Sequence, residues 1–270
     1  MSLAELTATD ITVRFGGVTA LESVSLRCGA EQVVGVIGPN GAGKTTLFNV
    51  ICGFVRPDAG ELRWDGRPLR RHRAEQLAKL GIARTLQSVG LFAGLTALEN
   101  VMAGAQRFRR TGVLSGVLGL PRTDRDERSL REAALTALAE LGVADCADRR
   151  PGELPYPVQK RVALARALAS KPRLLLLDEP AGGLGADDMA DLGRTIRGLR
   201  GSMGVMLVEH HMDLVMSVCD RVVVLDFGRV IAEGTPDEVR ADPGVLEAYL
   251  GFAASDVSEE LSATGGGERG

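Results

Sequence analysis

Apolar positions along this chain follow two rhythms. Residues Leu6 to Phe15 and Val18 to Arg27 carry β-branched side chains in partial alternation around Gly16 and Gly17, which predicts a β-hairpin. Val33 to Ile37 is a continuous apolar run of strand length, and the residues after its glycine-rich turn read as a helix. Gly60 to Trp64 is a short strand closed by the turn dipeptide Asp65-Gly66. Ala74 to Leu80 then forms a helix, and Ile82 to Leu86 a strand that delivers Gln87. From 88 to 152 the period becomes helical: Leu130, Ala134, Leu138 and Leu141 make one stripe, with Arg131, Glu132 and Glu140 on the other face. The glycine- and arginine-rich stretch Phe108 to Asp126 reads as a loose connection. After a helix over Val158 to Ser170 the α/β pattern resumes with the doubly buried strand Leu174 to Leu177 and a helix over Asp187 to Leu199. Strand Val205 to Val208, helix Met212 to Cys219 and a hairpin of Val222 to Leu225 with Arg229 to Ala232 complete it. Thr235, Pro236 and Glu238 open a last helix with a capping box, and the polar tail Ser255 to Gly270 has the composition of a disordered segment.

Composition narrows the class. At 270 residues, 45% hydrophobic and 25% charged, the chain can bury a core as one large domain or as a core with a subdomain. A net charge of −3 argues against a nucleic-acid partner, and the cluster Arg67, Arg70, Arg71, His72, Arg73 reads as a solvated face. The four cysteines lack metal-site spacing and read as buried apolar residues in a reducing compartment. The N-terminus, with Glu5 and Asp10, does not read as a signal peptide. No apolar run approaches the ~18 residues of a membrane span, so a membrane role is expected to go through a partner.

The chemistry concentrates at VVGVIGPNGAGKTTLFNVIC, Val33 to Cys52. Gly38, Pro39, Asn40, Gly41, Ala42, Gly43, Lys44, Thr45 and Thr46 satisfy the spacing G-x-x-x-x-G-K-S/T between a strand and a helix. Glycines let backbone N–H groups converge on phosphate oxygens, Lys44 supplies a compact positive charge, and the Thr45 hydroxyl is a ligand for Mg²⁺. The following helix points its positive end at the same anion. Asp178 and Glu179 end the leucine strand, where a parallel sheet places its ligands. Asp178 suits a metal anchor and Glu179 a general base for the attacking water. His210 follows a third apolar strand in the same way, with His211 as its competitor.

Together these motifs resemble the ATP-binding cassette (ABC) ATPases over nearly the whole chain. The resemblance implies an α/β P-loop NTPase fold with a RecA-like core, an antiparallel β subdomain and an inserted helical subdomain. It divides the chain into 1–87, 88–157, 158–254 and a tail at 255–270. GPNGAGKTT looks like Walker A, LLLLDEP like Walker B with its catalytic glutamate, and Gln87 in RTLQ like the Q-loop glutamine that reaches the γ-phosphate and the metal. His210 in VEHHMDLV matches the switch histidine. Phe15 falls where the family stacks an aromatic ring on adenine, with a strand-packing phenylalanine as the alternative. The stretches RFGGVTAL, GIARTLQ, VEHHMDLVMSVCDR and GRVIAEGTPDEVRADPGVLEAYLG resemble subunits of branched-chain amino acid importers. The implied cofactors are ATP and Mg²⁺. The implied partners are membrane permease subunits, a second cassette and, indirectly, an extracytoplasmic solute-binding protein, with the chain peripheral on the cytoplasmic face of the membrane.

The resemblance breaks at the signature motif. Where the family reads L-S-G-G-Q, this chain has Leu154, Pro155, Tyr156, Pro157 and Val158, followed by Gln159. Pro155 removes a hydroxyl and an N–H, and Pro157 removes another N–H. Gly183, Leu184 and Gly185 also depart from the usual aspartate or asparagine after the leucine. The expectation is therefore a non-identical partner cassette with an intact signature; the milder alternative is that proline at the serine position is an ordinary variation in this subfamily and only Pro157 matters. A soluble ABC ATPase and a regulatory cassette that has lost hydrolysis are the rival readings; a GTPase is disfavoured because no N-K-x-D segment is present.

Overall fold

The computed structural model describes residues 5–85, 89–105 and 121–249. Gln87 and the 255–270 tail lie outside them. In chain order the strands are β1 (Glu5–Phe15), β2 (Val18–Gly29), β3 (Val33–Ile37), β4 (Ala59–Trp64), β5 (Arg67–Pro68), β6 (Ile82–Arg84), β7 (Leu174–Asp178), β8 (Gly204–Val208), β9 (Arg221–Asp226) and β10 (Arg229–Gly234). The main helices are α1 (Lys44–Ile51), α2 (Ala74–Leu80), α3 (Ala97–Gly104), α4 (Pro121–Glu140), α5 (Tyr156–Leu168), α6 (Ala186–Leu199), α7 (Met212–Val218) and α8 (Pro236–Ala241).

The strands form two sheets. One is antiparallel, in the order β2-β1-β4-β5; the other runs β10-β9-β3-β8-β7-β6, parallel except for the edge strand β10. Strands β3, β7 and β8 are buried at every position, as continuous apolar runs require when both faces are covered. Their side chains alternate between two cores. Val33, Ile37, Leu175, Leu177, Val205 and Leu207 face the core shared with α3, α4, α5 and α7. Val34, Val36, Leu174, Leu176, Met206 and Val208 face the core shared with α1 and the antiparallel sheet. The Thr235 capping box forms as read, with Thr235 N donating to Glu238 Oε2 at 2.7 Å and Glu238 N to Thr235 Oγ1 at 3.3 Å.

Two helix starts differ from the sequence reading. Helix α4 begins at Pro121, inside the stretch read as a loose connection. Its first turns are charged rather than apolar, so periodicity is silent there, while proline at the first position presets a helical φ. Helix α5 begins at Tyr156, two residues before the expected Val158, with Pro155 as N-cap and Pro157 in the first turn. No intrahelical N–H is needed at those positions, so both prolines fit. Cys28, Cys52 and Cys219 are buried and Cys146 half-buried, all as free thiols. Burial pushes the Cys28 thiol up to about 12, helped by Glu5, so it is protonated and inert at neutral pH.

Asn100 fastens the segment 92–96 to α3. It is fully buried, accepts from Phe92 N at 2.8 Å, and its amide faces the carbonyls of Phe92, Leu95 and Thr96 at 3.1, 3.3 and 2.9 Å. Asn100→Ala should lower stability by about 1–3 kcal/mol, the penalty for orphaned buried groups. Asn100→Asp should cost more, because a carboxylate faces three carbonyls without a donor. Thermal unfolding of both variants measures this; an aspartate variant as stable as the parent would contradict it.

Candidate active site

The sheet order places the ends of β3, β8, β7 and β6 side by side. Val208 pairs in register with Val36 on one side and Asp178 on the other. Glu179 N donates to Val208 O at 2.9 Å and Glu209 N to Val36 O at 3.4 Å. The phosphate loop, the two carboxylates and the histidine pair therefore leave the same carboxyl edge of the sheet, where open α/β sheets bind ligands.

Packing fixes the two ends of the loop at Gly38 and Gly43. A Cβ on Gly38 would lie 2.0 Å from Leu225 O, and Gly38 has a φ of +149°. At Gly43, the N-cap of α1 with a φ of +100°, a Cβ would meet Ala20 O at 2.6 Å. Only glycine fits either place. Lys44 is buried, and its Nζ donates to the carbonyls of Gly38 and Pro39, both at 2.7 Å. Burial lowers its pKa, opposed by the charge of Glu179. Thr45 is exposed and Thr46 half-buried in the first turn of α1; Asn40 and Gly41 are exposed, and Pro39 and Ala42 buried. Phe15 is 51% exposed and belongs to neither apolar core.

Asp178 is only 3% exposed, and its Oδ2 accepts from Arg84 Nη2 at 2.6 Å. Glu179 is half-buried with a φ of +45°, a left-handed backbone on a non-glycine residue of the kind found where function holds strain. Lys160 Nζ donates to the carbonyls of Glu179 at 3.3 Å and Pro180 at 2.9 Å. Thr45 and Asp178 offer hard oxygen donors, a set that fits Mg²⁺ better than a soft metal.

The two histidines are not equivalent. His211 Nδ1 lies 2.9 Å from Glu209 Oε2, while His210 Nδ1 is at 3.7 Å and its side chain is 51% exposed. Glu209 organises this corner although sequence reasoning passed over it. It is fully buried and accepts from Ala181 N at 2.7 Å, His210 N at 3.0 Å and His211 N at 3.3 Å. An acidic residue directly after a wholly apolar strand was the available signal. Arg84, a lone charge on β6, was missed in the same way.

At the start of α5, Gln159 N already donates to Pro155 O at 3.0 Å. Only Tyr156 and Val158 supply N–H groups ahead of it, and Pro155 caps without a side-chain hydrogen bond. Tyr156 is 41% exposed and lies against Gly183, where a Cβ would come within 2.9 Å of its ring.

The sequence family described as ABC transporter matches residues 21–182. This chain belongs to that family. The family described as branched-chain amino acid ATP-binding cassette transporter matches residues 229–251 of the cassette. BraF of Pseudomonas aeruginosa, a high-affinity branched-chain amino acid transport ATP-binding protein, is 42% identical over 255 residues, 94% of this cassette and 100% of BraF. LivG of Escherichia coli strain K12, described in the same words, is 37% identical over the same shares. Among solved structures, the ADP conformation of the ABC cassette MJ1267 superposes with a TM-score of 0.78 at 30% identity, covering 92% of this cassette and 99% of MJ1267. The dimeric ABC transporter cassette MJ0796 superposes at 0.72 with 26% identity, over 86% and 98%. The cassette has the ABC ATPase fold, and ATP is its nucleotide. No described helix is long and apolar enough to cross a membrane.

Glu209→Gln should disturb the corner that carries His210 and the start of the loop at Ala181. An amide cannot accept from all three N–H groups and face His211 equally well. Turnover should fall by roughly tenfold, the worth of one charge-assisted hydrogen bond, with nucleotide affinity within twofold of the parent. Steady-state ATPase, measured with a cassette bearing an intact L-S-G-G-Q present, and nucleotide titration measure the two; unchanged turnover in the folded variant would contradict the role given to Glu209.

Proposed function

We propose that this cassette is the ATP-hydrolysing subunit of an importer for branched-chain amino acids or related small polar solutes, driving separate membrane permeases from the cytoplasmic face. The observation that carries the reading is the end-to-end likeness to BraF and LivG together with the family match at 229–251, a segment outside the nucleotide motifs. Membrane permease subunits are the direct partners, and an extracytoplasmic solute-binding protein acts through them. Residues 1–87 form the β subdomain and the first part of the ATP-binding core, 88–157 the helical subdomain, 158–254 the rest of the core, and 255–270 a tail.

In this reading residues Gly38 to Thr46 hold the phosphates through backbone N–H groups and the Lys44 ammonium. On nucleotide binding that ammonium exchanges the Gly38 and Pro39 carbonyls for phosphate oxygens. Thr45, Asp178 and Gln87 hold Mg²⁺, which neutralises phosphate charge when bound. Glu179 takes the proton of the attacking water, and its unusual backbone sets its direction. His210, freer than His211, contacts the γ-phosphate; Phe15, half exposed, stacks on adenine. Gln87 and the helical subdomain carry the resulting motion to the permease.

Pairing follows from the α5 start. With prolines at 155 and 157, that helix end offers fewer N–H donors to a facing γ-phosphate. Each lost bond to a charged group weakens closure by about 1.5–3 kcal/mol. The partner is therefore a different cassette with an intact signature, and the composite site containing Lys44, Glu179 and His210 is the hydrolytic one.

Glu179→Gln should keep MgATP affinity within a few-fold, lower turnover by about 10²–10⁴, and abolish leucine uptake by cells that depend on this cassette. Labelled leucine accumulation measures the last. Uptake at the parent rate would overturn the function, and loss of uptake with turnover intact would overturn the role of Glu179.

A further inference from the structure

Arg84, the last residue of β6, reaches two elements at once. Its Nη2 donates to Asp178 Oδ2 at 2.6 Å and its Nη1 to Asn49 Oδ1 at 3.1 Å. The guanidinium lies 5.9 Å from the Phe48 ring centre and 5.7 Å from that of Phe54, and its side chain is 13% exposed. Its Nε is buried without an acceptor, and the buried Cys52 side chain at the end of α1 is a further neighbour of the guanidinium. Asn49 follows Thr45 by four residues on α1, which puts both side chains on one face of that helix. The backbone register supports the same geometry, because Arg84 pairs with Leu176, two residues before Asp178.

We propose that Arg84 is a positioning residue for the metal: by bridging Asn49 and Asp178 it fixes the Thr45 face of α1 at a set distance from the Asp178 carboxylate. This rests on the reading of Thr45 and Asp178 as the metal-holding oxygens. The bridge engages Oδ2 of Asp178, and Oδ1 carries no hydrogen bond among the described residues, so one carboxylate oxygen is reserved for the metal or its water. The bond also supplies the countercharge that a 3% exposed carboxylate needs. A lysine cannot replace it, because a single ammonium on a flexible stem does not hold two acceptors in a rigid fork. Such outer partners orient first-contact ligands and set metal affinity.

The direct test is Mn²⁺ binding, followed by electron paramagnetic resonance, to the full chain loaded with a non-hydrolysable ATP analogue. The parent is compared with Arg84→Lys, Asn49→Ala and Asp178→Asn, and analogue affinity is measured separately in EDTA. Asn49→Ala removes the Asn49 bond of the bridge, leaving the Phe48 and Cys52 contacts, and keeps the test open if Arg84→Lys does not fold. Either folded variant is expected to bind Mn²⁺ about tenfold more weakly, the worth of one bond to a charged group, with metal-free analogue affinity within twofold of the parent. Parental Mn²⁺ affinity in the folded variants overturns the inference, as does an equal loss of analogue affinity in EDTA, which would mark a general packing role. An Asp178→Asn variant that binds Mn²⁺ like the parent overturns the metal reading beneath it, and the inference with it.

Discussion

The constraint on which the site depends is the passage of the backbone at Gly38 beneath the Leu225 carbonyl, where a single added carbon would lie 2.0 Å from the oxygen. The same crowding recurs at Gly43 against Ala20, and at Gly228, where a Cβ would meet Ala20 O at 2.6 Å. Glu22 N closes the circle on Gly228 O at 2.8 Å, and Gly228 N on Ala42 O at 3.1 Å. Strand β2, the phosphate loop and the β9–β10 turn are distant in sequence and meet here largely backbone to backbone. The loop is therefore shaped by both sheets before any nucleotide arrives, so less ordering is left to be done on binding.

Around that fixed loop each buried charge has its own counterpart. Lys44 is held by loop carbonyls, Asp178 by Arg84, and Glu209 by three backbone N–H groups and His211. Burial alone disfavours the Lys44 ammonium, while Glu179 pulls the other way. Phosphate oxygens are stronger acceptors than the two carbonyls that now hold it, so in the proposed reading the lysine transfers to them. In the proposed pairing, the other half of a composite site, built from the start of α5, is poorer in donors. The asymmetry between these two ends of one chain is what makes its choice of partner matter.

Much of this was legible in the sequence. The β1–β2 hairpin, the buried runs of β3, β7 and β8, the Thr235 capping box and the loop spacing all rest on local patterns that tertiary packing reinforces. Helix α4 starts earlier than its apolar stripe shows, because its first turns are charged and periodicity needs apolar positions. Glu209 and Arg84 were harder to read for another reason: each matters through partners on other segments, Glu209 through Ala181 and Arg84 through Asn49 and Asp178, and no spacing rule encodes which carboxylate a given arginine will meet. The order of β3, β8, β7 and β6, which brings the site together, is likewise a property of the sheet and not of any one segment.

The central claim is that the hydrolytic machinery around Lys44 and Glu179 is sound, while the α5 end is too poor in donors to close on a second copy. It is tested most directly by ATPase rate against protein concentration for the purified chain, with Lys44→Ala as the blank and nucleotide binding followed in parallel. The account predicts tight ATP binding and negligible turnover at all concentrations, with turnover rising when a cassette bearing an intact L-S-G-G-Q is added. A rate that climbs faster than linearly with this chain alone, and vanishes in the blank, would contradict it.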